Sequence, residues 1–321
     1  MTRINLKNAV LYKELQLNAK KLKLPLLLFI INVILTLVAL GVLLTINLSF
    51  RMINGDEIDA LNALFGILIF MESALVCLLL PTLTSQSISG ERERQTLDVL
   101  LTTNMSPFDI VLGKFLSCLT YVLIVILSIM PMSSLILIYG GVTLLDMLSV
   151  IGTIVTTGIY LSAFGIFFSA RQKKTSTATL LTFINFANIL GGSIMLVIML
   201  TAIGSIITNS LMYSNGALNN VTVDLSGSFF LLYFNPATTV FHTLCKVGGS
   251  FFGYRSSKGM GMFIGTVTTF SPSDFMIEHW TGISIAIQMI TSFFLLKGAA
   301  NAIDPTKQKI KVKKKWMKKT D

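Results

Sequence analysis

The sequence has few charged residues: Asp, Glu, Lys and Arg make up 12% of its 321 positions, whereas 53% are hydrophobic. About a quarter of the residues in soluble domains are charged, so this composition excludes an ordinary soluble protein and indicates an integral membrane protein. Cysteine is also scarce, with three in the chain. Because Cys77 and Cys118 fall within apolar segments and Cys245 lies in a loop, no disulfide framework is expected.

Residues suited to catalysis are equally scarce. The chain has two histidines, His242 and His279, and no cluster with metal-ligand spacing. The phosphate-binding pattern Gly-x-x-x-x-Gly-Lys-Ser/Thr is absent, because Gly113-Lys114 is followed by Phe115 and has no glycine at the required spacing before it. We therefore expect that this chain is not an enzyme, hydrolyses no ATP, and holds no cofactor or metal of its own.

Long charge-free windows predict an all-α polytopic membrane protein with a single transmembrane domain, 1–321. Residues 1–23 place apolar side chains on one helical stripe among lysines, which is typical of a helix lying in the membrane interface. The stretch 209–279 predicts an outer loop with re-entrant or surface helices, and a seventh and an eighth span within it are the alternative. Six spans are expected, at about 24–48, 62–84, 115–138, 146–169, 178–208 and 280–296.

The distribution of basic residues predicts the orientation. About 21 of the 25 lysines and arginines lie before the first span, in the connections after the second and fourth spans, and after the last span. The positive-inside rule therefore places both termini and the segment 85–114 in the cytoplasm. The tail, 297–321, is rich in lysine and follows a span, which favours contact with anionic membrane lipids over binding of nucleic acid.

The densest mixture of charges lies in the segment 85–114, where residues 91–94 read Glu-Arg-Glu-Arg. Behind them Leu97, Leu100 and Leu101 recur at helical spacing. A short segment between two spans has little opportunity to bury its own apolar side, which favours a helix that docks on another protein. A loop whose charges only fix the topology is an equally good interpretation of these residues.

The stretch GERERQTLDVLLTTNMSPFDIVLGK closely resembles the cytoplasmic segment of ATP-binding cassette exporter permeases of the ABC transporter-2 family. The family pattern is Glu-x-Glu-x-Gly-Thr-Leu-acid-x-Leu-Leu, followed by Thr-Pro and a helix ending in Gly-Lys. Gln95 stands where glycine is frequent, and Asn104 stands where the family often has proline. The matching positions are Glu91, Glu93, Thr96, Leu97, Asp98, Leu100, Leu101, Thr103, Gly113 and Lys114.

The resemblance implies the transmembrane permease subunit of an ATP-driven exporter, whose coupling helix sits in a cleft of a separate ABC nucleotide-binding subunit that carries ATP and Mg. It also implies a dimer, with a second copy of the permease or with a sister permease. We expect a multi-pass protein of a bacterial plasma membrane. The residues implied in docking on the ATPase are Glu91, Arg92, Glu93, Arg94, Thr96, Leu97, Asp98, Leu100 and Leu101.

Two other functions are compatible with the residues. A non-transporting polytopic scaffold would use the same charged segment to recruit a cytoplasmic partner without ATP-driven motion. An ion-driven secondary transporter is the third and weaker interpretation. A single intramembrane acid supports it, and no inverted repeat of the kind found in many such transporters is evident.

Glu72 is that acid, near the middle of a predicted span, where a charged side chain costs about 3 kcal/mol or more. We expect it to be protonated, hydrogen-bonded or in contact with a wet cavity. It is either part of a translocation pathway or a structural hydrogen-bonding residue. Asn185 and Asn188, which share one helix face, and Gln288 are the polar side chains expected near it.

Two pairs of small residues at a spacing of four indicate close helix packing. They are Gly158 with Ser162 and Ala187 with Gly191. Packing within the chain and contact with a second copy are both possible uses of such faces.

Overall fold

The computed structural model describes most of the chain: residues 57–138, 143–214, 226–247 and 274–304, and isolated helical positions between 26 and 44. These residues are almost entirely helical, and none of them forms a strand. The predicted interfacial helix 1–23, most of the first predicted span and the tail beyond residue 304 lie outside them.

The long helices follow the charge-free windows of the sequence, and shorter helices lie between them. In chain order they are α1 (Glu57–Ser85), α2 (Ser89–Glu93), α3 (Leu97–Leu101), α4 (Pro107–Ile138), α5 (Leu144–Arg171), α6 (Thr175–Ala187), a π-helical segment (Asn188–Gly192), α7 (Ser193–Ser214), a 3₁₀ helix (Ser226–Phe234), α8 (Pro236–Val247), α9 (Asp274–Glu278) and α10 (Trp280–Ile303).

Five stretches of the described residues are long and apolar enough to cross a membrane: those of α1, α4, α5, α6 with α7, and α10. They confirm the prediction of an all-α polytopic membrane protein, and each overlaps one of the windows predicted for the second to sixth spans. The last helix continues to Ile303, beyond the predicted end at residue 296. Lys297 is therefore an exposed residue of this helix.

α5 is the central helix, and it packs against α1, α4, α6, α8 and α10. Small residues make this possible, because a Cβ at Gly165 would overlap the side chain of Thr84 on α1. A Cβ at Gly158 would lie 2.9 Å from Val122 on α4. The predicted face of Gly158 and Ser162 is therefore used for packing within the chain.

The fifth predicted span, 178–208, is not one uninterrupted α-helix. The π-helical segment Asn188–Gly192 separates α6 from α7. A Cβ at Gly191 would have no neighbour within 4 Å. Over the described residues, the predicted face of Ala187 and Gly191 is thus open rather than packed.

The predicted outer stretch, 209–279, contains two helices that pack into the bundle, the 3₁₀ helix and α8. The 12 residues of α8 rise about 18 Å, which is well short of the roughly 30 Å of a bilayer core. The 3₁₀ helix has nine residues and also rises about 18 Å. Neither helix is a seventh span by length, yet Leu232 and Val240 are buried among the other helices. Residues 248–273, with the second interrupted apolar segment, lie outside the described part of the chain.

Candidate functional site

The charged hairpin, which we define as α2, α3 and the turn between them, is closed by backbone hydrogen bonds. The Thr96 N–H donates to the Glu91 carbonyl at 2.9 Å, and the Gln95 N–H donates to the Arg92 carbonyl at 3.1 Å. This pair of bonds forms the helix ending known as a Schellman motif, which requires a left-handed residue after the helix. Gln95 has that conformation, with φ of 60°. The frequent glycine of the family pattern therefore coincides with a position where this backbone favours glycine.

The first turn of α2 is bonded to the central helix. The Ile88 and Ser89 N–H groups donate to Ser169 Oγ of α5 at 3.0 and 2.9 Å. Helix starts leave such N–H groups without an intrahelical acceptor, so Ser169 caps α2 from outside. The hairpin is therefore fixed to the bundle at its beginning.

The three charges that follow bond to three different parts of the bundle. Glu91 Oε1 lies 2.9 Å from Lys114 Nζ on α4. Arg92 Nη1 donates to the carbonyl of Gln172, at the end of α5, at 2.9 Å. Glu93 Oε2 accepts from the N–H and the hydroxyl of Thr175, the first residue of α6, at 3.1 and 2.7 Å. The hairpin thus connects α4 with the junction between α5 and α6, which lies about 80 positions beyond the hairpin in sequence.

The leucines of α3 do not form a free face, contrary to the sequence argument. The Leu97 side chain is only 4% exposed, and it packs with Ile110 and Phe115 in the core at this end of the bundle. Leu100 and Leu101 are partly buried against the same core. α4, α5 and α10 supply this core, which explains how so short a segment buries its apolar side.

A different edge of the hairpin is exposed. Among the residues predicted to dock, Glu93, Arg94, Thr96 and Asp98 are exposed. Gln95 and Val99, which were not among the predicted docking residues, are exposed as well, and the Val99 side chain is 68% exposed. Some of the predicted docking residues therefore hold the hairpin in place and others face outward, and Glu93, which is exposed and bonded to Thr175, does both.

Glu72 lies on α1 inside the bundle, with a side chain only 5% exposed. Within the part of the chain that the structure describes, Oε1 has no hydrogen-bond partner. The carboxyl faces a cavity of about 20 Å³, enough for one water molecule. The remaining lining is apolar: Phe65, Ile69, Ile126, Met147, Val150 and Ile151.

Among the described residues, none of the other predicted interior polar residues lines the cavity of Glu72. Gln288 Nε2 donates to Thr239 Oγ1 and Ser284 Oγ, both at 2.9 Å, in a buried cluster between α8 and α10. Asn188 is exposed, whereas Asn185 is partly buried. The spacing of three between Asn185 and Asn188 therefore does not give them a common buried environment.

Asn235 is a structural residue that the sequence reasoning missed. Its Oδ1 accepts from the Ala237 N–H at 2.8 Å and so caps α8. Its Nδ2 donates to the Leu190 carbonyl and to Ser193 Oγ, both at 2.9 Å, at the π-helical segment. Asn followed by Pro is a typical helix start, and that signal was available in the sequence.

The fold and the hairpin together define a class: an all-α multi-pass membrane protein with a charged helical hairpin fixed between its spans. The family model described as ABC-2 family transporter protein matches residues 9–297, so the chain belongs to that family. It is a permease, the membrane subunit of an ABC transporter. No curated protein matches the sequence.

Proposed function

We propose that this permease is the membrane subunit of an exporter, and that its charged hairpin docks on a separate nucleotide-binding subunit at the cytoplasmic face of the plasma membrane. ATP and Mg are bound by that subunit, whose ATP binding and hydrolysis move the hairpin and drive substrate outward. The observation that carries the proposal is the hairpin itself. It is bonded to α4, α5 and α6 on one side and exposed on the other.

The exposed edge has the composition of a docking surface. Arg94 and Asp98 offer charges of both signs, which favours a specific orientation and a rapid encounter. Val99 offers an exposed apolar side chain that can enter a cleft of the partner. The buried Leu97 stabilises the hairpin and supplies no contact area to a partner.

The bonds between the hairpin and the helices also allow it to transmit a displacement, which coupling requires. A loop without internal partners would absorb a displacement, whereas a hairpin with bonds to several helices passes it on. Glu91, Arg92 and Glu93 supply such bonds. Their role in the proposed coupling is to hold the hairpin to the spans.

A second permease, identical or related, is expected beside the stretch of α6 and α7. In its most apolar window 11% of the residues are buried, compared with 67% in α5. Gly191 lies in the open part of this stretch, where another helix has room to approach closely. This face supports a dimer, and lipid covers whatever the second subunit does not.

The test is purification of the tagged chain in mild detergent from its native cell, with identification of the proteins that accompany it. The docking variant combines Arg94→Ala, Asp98→Ala and Val99→Ala. A matched control, Lys246→Ala with Phe275→Ala and Glu278→Ala, removes one basic, one apolar and one acidic exposed residue elsewhere.

We expect an ATP-binding protein to copurify with the wild type and with the control, and to be lost from the docking variant. The absence of any ATP-binding protein from the wild-type preparation would favour the scaffold instead. Retention of the ATP-binding protein by the docking variant would remove the exposed edge from the docking site.

A further inference from the structure

The start of α6 is capped by the charged hairpin. Lys174, at the N-cap position, makes no side-chain capping bond. Glu93 Oε2 supplies the missing acceptor, and it accepts from both the N–H and the hydroxyl of Thr175. A carboxylate at this position also interacts favourably with the positive end of the helix dipole.

A further hydrogen bond joins α6 to the end of α1, and a close contact joins it to α2. Ser85 Oγ lies 2.8 Å from Thr179 Oγ1, and a Cβ at Gly90 would lie 3.7 Å from Thr175 Cγ2. The buried stripe of α6 begins with the small side chains of Ala178 and Thr182. Packed helices with small contact residues accommodate sliding of the kind seen in shear motions.

α6 leads from the hairpin directly to the π-helical segment. Its 13 residues span about 20 Å as a helix. Asn235 holds the far end through its bonds to the Leu190 carbonyl and Ser193 Oγ. Short π-helical segments inside α-helices are frequent at functional sites, because the interrupted hydrogen-bond ladder is a place where a helix changes direction.

We propose that Glu93 is a positioning residue that passes displacement of the charged hairpin to α6, and that α6 turns about the π-helical segment held by Asn235. The proposal rests on the proposed function, because the nucleotide-binding subunit supplies the displacement. It assigns Glu93 to the connection with α6 and leaves the docking itself to Arg94, Asp98 and Val99.

Hydrogen exchange of the copurified wild-type complex, without nucleotide and trapped with ATP and vanadate, tests this assignment. We expect trapping to change exchange in two regions, the hairpin at 89–101 and the π-helical region at 188–193. In Glu93→Ala the change at 89–101 is expected to persist, while exchange at 188–193 stays at its nucleotide-free level. Thr175→Val, which removes the hydroxyl and keeps the N–H, is expected to give an intermediate result.

The proposed function and the relay through Glu93 would be contradicted by different results. If the wild-type hairpin does not respond to nucleotide, the proposed function and the relay fail together. If the hairpin responds and Glu93→Ala retains the full change at 188–193, the relay through Glu93 is overturned while the docking proposal stands.

A covalent replacement of the bond is a second test of the relay, in which the response is restored instead of lost. Glu93→Cys and Thr175→Cys, in a chain whose half-buried Cys77 is replaced by Ala, are joined with a short bifunctional thiol reagent. The joined pair is expected to restore the nucleotide-dependent change at 188–193, because the reagent takes over the connection. The unjoined pair and Thr175→Cys alone serve as controls, and a joined pair that responds at 89–101 without recovering the change at 188–193 would overturn the relay.

Discussion

Lys114 Nζ lies 2.9 Å from Glu91 Oε1 and donates to the Ser87 carbonyl at 2.8 Å, although the Lys114 side chain is only 1% exposed. A buried ammonium group is costly unless it is paired and hydrogen-bonded. Both conditions are met here by residues at the start of the hairpin. The Gly-Lys that ends the family pattern is therefore a structural partner of the glutamate that begins it.

Glu91→Gln and Lys114→Met are each expected to destabilise the protein. Loss of one partner from a fully buried ion pair costs about 3–5 kcal/mol, and we expect the lower end because the Glu91 side chain is 28% exposed. The double variant should lose less than the sum of the single variants, with a coupling energy of about 1–3 kcal/mol. Thermal unfolding of the four proteins in detergent measures the cycle. Additive losses would show that the contact contributes nothing to stability.

Gln95→Gly is expected to stabilise the chain, because a left-handed conformation costs a residue with a Cβ about 1–2 kcal/mol. Greater freedom of glycine in the unfolded chain offsets part of this gain. The expected net effect is a rise of up to about 1 kcal/mol in unfolding free energy. Asp98→Gly, at an exposed α-helical position nearby, is the control and should lower it by about 1 kcal/mol. Equal losses in both variants would contradict the assigned turn.

Gly165→Ala and Gly152→Ala make a matched pair on α5. Both gain helix propensity, but only the first places a methyl group against Thr84 of α1, and the second meets open space. We expect Gly165→Ala to cost about 1–3 kcal/mol through overpacking. Gly152→Ala should be neutral or stabilising by up to about 1 kcal/mol. If the two variants have the same melting temperature, α1 and α5 do not approach as described.

The spans were predictable because their signal is local. A window of about 20 apolar residues identifies a span wherever its neighbours lie, and the five described spans illustrate this. The ends were less certain, since Lys297 resembles the start of a tail and yet continues α10. A single lysine at a helix end keeps its charge in a polar environment without ending the helix.

The partners of the charged residues were not predictable in the same way. Glu93 bonds to Thr175, which is 82 positions away in sequence, and no local pattern encodes that contact. A row of charges has the same appearance whether its members face a partner protein or hold the chain's own helices. The π-helical segment was equally hidden, because hydropathy does not report the register of backbone hydrogen bonds.

Asn235→Asp, a conservative substitution, is expected to destabilise the protein as Asn235→Ala does. Asn235→Ala removes the cap of α8 and both bonds to the π-helical segment. Asn235→Asp keeps the capping oxygen but loses the Nδ2 donor and places a carboxylate near the Leu190 carbonyl. Each buried group left without a partner costs about 1–3 kcal/mol, so both variants should be destabilised. Wild-type stability of Asn235→Asp would show that the cap is the only role of this residue.

Glu72 is expected to lower the stability of the bundle. Its side chain is buried, its Oε1 has no partner among the described residues, and its cavity is otherwise apolar. Glu72→Met removes the polar group at similar volume, so we expect the unfolding free energy to rise by about 1–3 kcal/mol. Glu72→Gln keeps the shape and an amide in the cavity, and its stability should stay close to that of the wild type. If Glu72 were a structural hydrogen-bonding residue, Glu72→Met would be destabilised instead.

A residue that lowers the stability of a protein often serves its function. The Glu72 variants are therefore also tested for ATP hydrolysis. In the copurified complex, Glu72→Met and Glu72→Gln should both bind the ATP-binding protein as the wild type does, since Glu72 is buried on α1, about 20 Å of helix before the end of α1 at Ser85. Their rate of ATP hydrolysis should nevertheless change if the carboxyl takes part in the transport cycle. Stabilised variants with an unchanged hydrolysis rate would remove Glu72 from the pathway and leave it as a carboxyl that the fold tolerates.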